Sequence, residues 1–235
     1  MKIGIIGAMD LEINNLITHL SKSRTSTIAK KLFYEGEINN IEIVICLSGI
    51  GKVNASISTE ILIEHFKVTH IINSGIAGAL NVNLKILDIV ISKDLIQHDM
   101  DCTFFGYKLG EIPQMKMREF IANDFLIENV YESAKSIYKE KNIIKGRILS
   151  GDKFISDDNI KNKLFKEFDG DCTEMEGAAI AQVAYLNNIP FVSLRVISDN
   201  ADGNANIDYN RMEEEAANCS SNIVLEFINN IGEQK

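Results

Sequence analysis

Charged residues stand at several points of this sequence where acid–base chemistry is possible. Glu12 lies one turn into a predicted helix, where a carboxylate is also typical of a solvated helix start favoured by the helix dipole. Glu174 and Glu176 precede an alanine-rich helix with a buried pattern, and acids beside a buried helix cost free energy unless each has a partner. Arg195 and Asp199 end an apolar strand, which fits either a functional crevice or a structural ion pair. Each is a candidate for catalysis, with a structural role as the alternative.

A glycine turn and a histidine are weaker candidates. The turn Gly49-Ile50-Gly51-Lys52 lacks the third glycine of a dinucleotide-binding loop and the longer spacing of a Walker A loop. A tight turn before a helix explains it, and a phosphate loop is the less favoured interpretation. Of the four histidines only His98 lies in a candidate active loop, and stabilisation of that loop is favoured over catalysis.

Strand-like and helix-like segments alternate along the chain and must position these residues. After a candidate N-cap at Asp10, the apolar residues Ile13, Leu16, Ile17 and Leu20 follow the spacing of one helical face. Further helices are predicted over 53–66, 124–139, 158–168 and 176–187 and from about 208, and strands over 2–7, 41–47, 68–73, 87–96, 143–149 and 191–197. The alternation predicts one α/β domain over 1–235, with a parallel or mixed sheet between helices.

The working residues of such folds collect at the carboxyl ends of strands. This rule selects the segments 7–12, 74–78, 151–156 and 198–202. A polar loop that contains aromatic residues, 98–115, follows another predicted strand. Glu12 and Asp199 fall within these segments and Arg195 lies beside the last of them, whereas Glu174 and Glu176 lie outside them.

Composition limits the class of partner and of cofactor. The 235 residues carry a formal net charge of −9 and no basic stripe interleaved with aromatics, so nucleic acid and anionic membrane are poor partners. A small substrate with little net charge is favoured instead. The cysteines at 46, 102, 172 and 219 form no CxxC pair, which predicts reduced and mostly buried thiols rather than a zinc site.

The amino terminus favours the cytoplasm. Its apolar run is too short for the core of a signal peptide, and the acids Asp10 and Glu12 follow it directly. No apolar stretch is long enough to span a bilayer. We therefore expect a cytoplasmic protein.

Short motifs follow one another in a distinctive order along the chain. They are GIIGAM at 4–9 with Glu12, SGIGKVNA at 48–55, NSGIAG at 73–78, HDMD at 98–101, FGY at 105–107, SGDKFI at 150–155, EMEGAA at 174–179 and RVISDNAD at 195–202. Each motif alone is weak, but the ordered set resembles the bacterial 5′-methylthioadenosine/S-adenosylhomocysteine nucleosidases, within the wider nucleoside phosphorylase fold. The resemblance spans the chain from Lys2 to the final helix.

The resemblance implies a fold and a reaction. The fold would be three-layer αβα, with a central mixed, partly barrel-like sheet flanked by helices. The reaction would be hydrolysis of the N-ribosidic bond of 5′-methylthioadenosine and S-adenosylhomocysteine, and also of 5′-deoxyadenosine, with release of adenine and the 5′-thioribose. Adenine anion is a poor leaving group, so an acid must protonate N7 while carboxylates stabilise the positive charge that grows on the ribose. No cofactor and no metal is implied.

The resemblance also implies residue roles. Glu12 would orient and deprotonate the attacking water, with Arg195 in its polar network, and Asp199 would act on adenine N7 with Ser198 nearby. Glu176 would accept from the ribose hydroxyls. The other substrate-binding positions would be Ala8, Met9, Ile50, Ile76, Gly78, Phe154, Ile155, Glu174, Met175 and Tyr209.

Among these positions, Phe154 would stack on adenine and the Ile155 backbone would read its Watson–Crick edge. Met9, Ile50 and Tyr209 would line the pocket for the 5′-thio group. Residues that match Cys102, Phe105 and Pro113 reach that pocket from a second subunit in the family, which implies a homodimer.

Departures from the family pattern and rival functions leave the substrate open. Ile76 stands where many relatives carry serine, Asp10-Leu11 replaces an acidic pair, and Cys102 replaces an aliphatic residue. The rivals are an aminodeoxyfutalosine nucleosidase, a purine nucleoside phosphorylase and a non-catalytic storage or sensor protein. A phosphorylase needs a cationic phosphate site, for which the early glycine turns offer no basic cluster, and a non-catalytic protein would not need the acids.

Overall fold

Ten strands form one mixed sheet in the computed structural model, which describes residues 1–233. The strands are β1 Lys2–Gly7, β2 Ser21–Ile28, β3 Lys31–Ile38, β4 Ile41–Leu47, β5 His70–Ala79, β6 Ile89–Gln97, β7 Phe120–Ile121, β8 Ile143–Ser150, β9 Cys172–Glu174 and β10 Phe191–Asp199. The helices are α1 Asp10–Thr18, α2 Lys52–Glu64, α3 Asp124–Ile137, α4 Asp158–Phe168, α5 Gly177–Leu186 and α6 Ala205–Glu233, with a 3₁₀ turn at Thr103–Phe105.

Part of the sheet closes on itself. The strand order is β10-β6-β8-β9-β5-β1-β4-β3-β2, and β10 also pairs in parallel with β5, so that five strands form a barrel. The antiparallel strands β3 and β2 extend the sheet beyond β4. This arrangement confirms the predicted mixed, partly barrel-like sheet flanked by helices.

The strands that run through the core are buried on both faces, as parallel strands covered by helices are. Every residue of β10 is buried, and β5 is buried except at its first residue. A separate small apolar cluster lies beneath α4 and holds Ile155, together with Leu80, Ile96, Leu149, Leu164, Phe168 and Ala201. Cys46, Cys172 and Cys219 are buried and all four cysteines are free thiols, as expected.

Helix starts differ from the predictions at two places. Met9, not Asp10, is the N-cap of α1, because the Glu12 carboxylate turns back to the backbone N–H of Met9 and supplies the cap. The final helix begins at Ala205, three residues before the predicted start. Within residues 1–233 no helix is both long and apolar enough to cross a membrane.

Candidate active site

A cavity of about 450 Å³ opens at the carboxyl ends of β1, β5, β9 and β10, where the strand-end rule placed the candidates. It is lined by Ala8, Met9, Glu12, Ile50, Ile76, Ala77, Gly78, Phe154, Thr173, Glu174, Met175, Glu176, Ser198, Asp199, Asn206, Tyr209 and Asn210. A small adjoining recess of about 30 Å³ adds Lys153 and Ile155. A larger groove of about 690 Å³ between α1, α3 and α6 has only half-buried carboxylates, Glu37 and Glu226.

Glu12 is held entirely by backbone donors. Its Oε2 accepts from the N–H groups of Ala8 at 2.7 Å and Met9 at 3.1 Å, and its Oε1 accepts from the Ile76 N–H at 3.2 Å. A side chain at Gly75 would bring a Cβ within 2.4 Å of Oε1, so only glycine allows this approach. Burial raises the pKa of Glu12, while Arg195 and the three N–H groups oppose the rise. The result is a fixed carboxylate with an increased affinity for a proton.

The departure at Ile76 leaves the Glu12 environment intact. Ile76 contributes its backbone N–H, which any residue at that position carries, and its side chain lines the cavity. The exchange of serine for isoleucine therefore makes the wall of the cavity more apolar without removing a bond to Glu12.

Asp199 has a different set of donors. The Ala201 N–H donates to its Oδ1 at 2.8 Å, and the Ser198 hydroxyl donates to its Oδ2 at 2.9 Å. Burial raises the pKa of Asp199. The Ala77 carbonyl lies 3.4 Å from Ser198 Oγ, so the hydroxyl has a second acceptor and can receive a bond from Asp199 when that carboxyl is protonated.

Glu174 and Arg195 form a buried ion pair behind the cavity wall. Arg195 Nη2 lies 2.6 Å from Glu174 Oε2 and also donates to Asn73. Glu174 Oε2 further accepts from the backbone N–H groups at the start of α5, and its Oε1 accepts from Ser150. Because both oxygens of Glu174 are engaged, this residue orders the start of α5 rather than offering a free acceptor.

Glu176 borders the cavity between this ion pair and the start of α2. Its Oε1 accepts from the Gly51 N–H at 2.7 Å. Burial and the neighbouring Glu174 raise the pKa of Glu176 to about 8. The affinity of Glu176 for a proton is therefore well above that of a solvated glutamate.

The loop residues expected from a second subunit do not line the cavity of their own chain. Phe104 and Phe105 are 91% and 76% exposed, and Cys102 is half-buried. Phe154, by contrast, lies over the cavity with its ring 5.8 Å from that of Tyr209. The contribution of a second subunit stays a prediction.

His98 lies behind the site. Its ring packs against Gly151, where an added Cβ would come within 2.4 Å of Nε2, and its backbone N–H donates to Ser150. Burial lowers the pKa of His98. These contacts describe a packed loop residue that does not reach the cavity.

The comparisons with known proteins agree with this geometry. Residues 2–229 match the model of the Phosphorylase superfamily. A 5′-methylthioadenosine/S-adenosylhomocysteine nucleosidase of Halalkalibacterium halodurans is 44% identical over 232 residues, which are 98% of this chain and 99% of that protein. The chain belongs to the 5′-methylthioadenosine/S-adenosylhomocysteine nucleosidase family. As a member of this nucleosidase family it is an enzyme that hydrolyses N-ribosidic bonds.

Solved structures of nucleosidases share the whole fold. The Neisseria meningitidis nucleosidase of this family, in complex with methylthio-immucillin-A, has a TM-score of 0.93 at 36% identity, over 97% of this chain and 98% of that one. A futalosine hydrolase of Helicobacter pylori has the same TM-score at 33% identity, over 98% of each chain. The fold and family inferred from the ordered motifs are confirmed.

Sequence reasoning missed several residues of this nucleosidase cavity. Asn206 and Asn210 lie one helical turn apart on α6, beside Tyr209. Asn206 precedes the predicted start of this helix, whereas Asn210 lies within it and was not linked to the site. Thr173 comes from the three-residue strand β9, which is too short to carry a strand pattern.

Proposed function

We propose that this chain hydrolyses 5′-methylthioadenosine and S-adenosylhomocysteine, and also 5′-deoxyadenosine, releasing adenine and the 5′-substituted ribose. One observation carries the proposal: three buried carboxyls with different hydrogen-bond partners, Glu12, Glu176 and Asp199, border a single cavity. Cleavage of an N-riboside requires an acid for the base, a base for the water and negative charge near the ribose. The three residues suit these three tasks.

Asp199 is proposed as the acid at adenine N7. Its raised pKa favours the protonated form, and Ser198 can support that form because its hydroxyl has the Ala77 carbonyl as a second acceptor. Protonation of N7 as the bond breaks lets adenine leave as a neutral base. Phe154 and the backbone of Ile155, which lie beside Asp199, would hold the ring in the cavity.

Glu12 is proposed as the base that takes a proton from water. The N–H donors favour the ionised form of Glu12, while burial increases its affinity for the proton that it must accept. Glu176 would accept from the ribose hydroxyls and stabilise the positive charge on the ring. Arg195 would act through Glu174 and through its charge near Glu12.

A phosphorylase reaction has less support. The N–H groups of Gly51 and Lys52, which open α2 and would suit a phosphate, already donate to the carboxylates of Glu176 and Asp152. A phosphate in the position of the attacking water would also lie against Glu12, and like charges repel. We therefore expect water as the nucleophile.

Hydrolysis of a futalosine-type nucleoside is the second candidate. It is favoured by the likeness to the Helicobacter pylori futalosine hydrolase and by the mouth of the cavity, where the exposed amides of Asn206 and Asn210 leave room for a long polar 5′ substituent. Such a substrate would use the same acid and the same base. It differs only in what the 5′ pocket must hold.

The proposal extends to assembly and to the cell. We propose a homodimer in which Cys102, Phe105 and Pro113 of each chain complete the 5′ pocket of the other. The proposed location is the cytoplasm, where the reaction would serve nucleoside catabolism and methionine salvage. No metal or cofactor is part of the proposed mechanism.

One assay tests the function. Adenine release is followed by chromatography with methylthioadenosine, S-adenosylhomocysteine, 5′-deoxyadenosine and aminodeoxyfutalosine, each with and without inorganic phosphate. We expect release that phosphate does not change, and a free thioribose rather than its 1-phosphate. Phosphate-dependent release would overturn the hydrolase assignment, and release from aminodeoxyfutalosine alone would select the second candidate.

A further inference from the structure

A ring of polar contacts at the rim of the cavity joins three loops. The Lys52 N–H donates to Asp152 Oδ1 at 2.8 Å, and the Asp152 N–H donates to Asp99 Oδ2 at 2.9 Å. The ring closes where Lys52 Nζ lies 2.6 Å from Asp99 Oδ1. Lys52 begins α2, Asp99 follows β6 and Asp152 follows β8. The rim ring, formed by Lys52, Asp99 and Asp152, therefore ties together three segments that are distant in sequence.

The rim ring holds the turn that contacts Glu176. Gly51 directly precedes Lys52 and donates its N–H to Glu176 Oε1. Asp152 opens the segment that continues to Phe154 and Ile155 at the adenine recess. Neighbours of the ring thus reach both the proposed ribose site and the proposed base site.

The direction of the Gly51 amide depends on an unusual backbone conformation. Gly51 has φ 97° and ψ 159°, a region that side chains disfavour. A Cβ at this position would also come within 3.1 Å of Asp152 Oδ1. The Gly51 turn therefore packs closely against the Asp152 carboxylate. Removal of that carboxylate would leave the turn without this contact.

Folding stability alone does not account for the rim ring. The side chains of Lys52 and Asp99 are 18% and 30% exposed, and ion pairs in contact with water contribute little to stability. Lys52, however, directly follows Gly51, whose N–H donates to Glu176.

We propose that Lys52, Asp99 and Asp152 are positioning residues that hold the Gly51 amide against Glu176 and thereby fix the carboxylate that receives the ribose. The inference rests on the proposed function, because that function assigns Glu176 to the ribose. The other charged groups around Glu176 are Glu174 on β9, Arg195 on β10 and Glu12 on α1. Without the Gly51 donor, Glu176 would be protonated more easily and would accept from a hydroxyl less well.

A double-mutant cycle tests this. In the otherwise wild-type enzyme, D99A and D152A should each lower kcat/KM for methylthioadenosine by about 10- to 100-fold, the scale expected for misplaced substrate-binding groups. D152N keeps an acceptor oxygen for the Lys52 N–H and should stay within about threefold of wild type. D158A is the matched control. Asp158 is an exposed acid that, like Asp152, follows β8, but it takes no part in the rim ring, so D158A should leave kcat/KM unchanged.

The same substitutions are then made in an E176Q background. There D99A and D152A should add less than about twofold, because residues that act through one group are not additive. In the Glu176 enzyme they should also move the acidic limb of the kcat/KM profile to higher pH. Melting temperatures show whether each variant is folded.

The outcomes separate the inference from the proposed function. Equal losses in both backgrounds, or an unmoved pH profile, would overturn the positioning role while wild-type hydrolysis stands. Absence of adenine release from wild type would instead reject the proposed function itself.

Discussion

Glu12 and Asp199 begin from similar intrinsic pKa values, and burial raises both. What distinguishes them is the kind of donor. Backbone N–H groups can only donate, so the three around Glu12 favour its ionised form. The Ser198 hydroxyl can donate or accept, so Asp199 is supported with or without a proton. The donor sets therefore suit a base at Glu12 and an acid at Asp199.

The first prediction concerns the base. Glu12→Gln should lower kcat for methylthioadenosine by about 100- to 10,000-fold, because an amide cannot accept the water proton. The amide also places an NH₂ group against backbone N–H donors, a contact that lowers stability. The melting temperature should therefore be measured together with the rate. Asp10→Asn, an exposed acid in the same turn, is the control and should keep wild-type turnover. Turnover above about a tenth of wild type in Glu12→Gln would reject the role of base.

The second prediction concerns the acid. Asp199→Asn should abolish release of adenine, since the amide is no acid at N7, but should spare a p-nitrophenyl riboside, whose leaving group needs no proton. The amide oxygen can still accept from the Ala201 N–H, and Ser198 Oγ can accept from the amide NH₂ while its hydroxyl donates to the Ala77 carbonyl, so the loop should keep its shape. Steady-state rates on both substrates measure the difference. If both fell equally, Asp199 would not be the acid.

At the scale of elements, the parts predicted from sequence are those with a strong local signal. Apolar runs identified the buried strands, and the strand-end rule placed Glu12 and Asp199 near one another, but it did not select Glu176, which follows the short strand β9. The hairpin of β2 and β3 was missed, because β2 is polar and exposed and its turn at Ala29 and Lys30 has positive φ without glycine or asparagine. Such strands depend on pairing with a neighbour, which no local pattern reports.

Hydrogen-bond partners could not be predicted at all. The Glu174–Arg195 pair joins β9 to β10, and the Glu176–Gly51 bond spans 125 residues. The sequence analysis left a structural role open for Glu174. Both carboxylate oxygens of Glu174 accept hydrogen bonds within the protein, which agrees with that alternative. Long-range geometry decides such roles, while spacing along the chain does not.

The third prediction concerns the junction of β9, α5 and α2, where Glu176 is buried. The folded-state pKa of Glu176 is raised to about 8 from an ordinary value of 4.5, so the protonated form stabilises the fold and that contribution is lost as pH rises between these values. Glu176→Gln removes this dependence. The quantity to compare is the free energy of unfolding of Glu176→Gln minus that of wild type. This difference should be larger at pH 8.5 than at pH 4.5, by on the order of 3 kcal/mol.

Urea unfolding at the two pH values measures the effect. The pKa values of Glu12 and Asp199 are raised as well. The Glu176→Gln variant therefore keeps part of the pH dependence of the free energy of unfolding. Glu64→Gln, an exposed glutamate on α2, serves as control and should follow wild type. Parallel curves for wild type and Glu176→Gln would show that Glu176 is not the buried acid that loses stability.

At the scale of the whole molecule, the exposed aromatics point beyond one chain. Phe104 and Phe105 lie edge to face on the loop after β6, largely exposed, and aromatic residues of this kind fill the centres of interfaces.

The fourth prediction is a homodimer at micromolar concentration by analytical ultracentrifugation. Phe104→Asp and Phe105→Asp should weaken it and lower activity together, because the 5′ pocket would lose its second wall. Val82→Asp, at an exposed apolar residue outside that loop, is the control. A fully active monomer would contradict this assembly.

The last prediction concerns what the 5′ pocket accepts. Met9, Ile50 and Tyr209 line the cavity and are the residues proposed for this pocket; they offer few free hydrogen-bond partners, since the Tyr209 hydroxyl already donates to Met9 Sδ at 3.2 Å. A methylthio group gains about 25 cal/mol for each Å² of apolar surface that leaves water. A 5′-hydroxyl in the same place loses its water and finds little in exchange, at a cost of about 1–3 kcal/mol.

Adenosine should therefore have a kcat/KM about one to two orders of magnitude below that of methylthioadenosine, at about 1.4 kcal/mol for each tenfold. S-adenosylhomocysteine should stay close to methylthioadenosine, because its charged tail can leave the cavity past the exposed amides of Asn206 and Asn210. Steady-state kinetics with the three nucleosides decide the matter. Adenosine cleaved as well as the thio-nucleosides would refute an apolar pocket, and rejection of S-adenosylhomocysteine alone would mean that the mouth closes in the dimer.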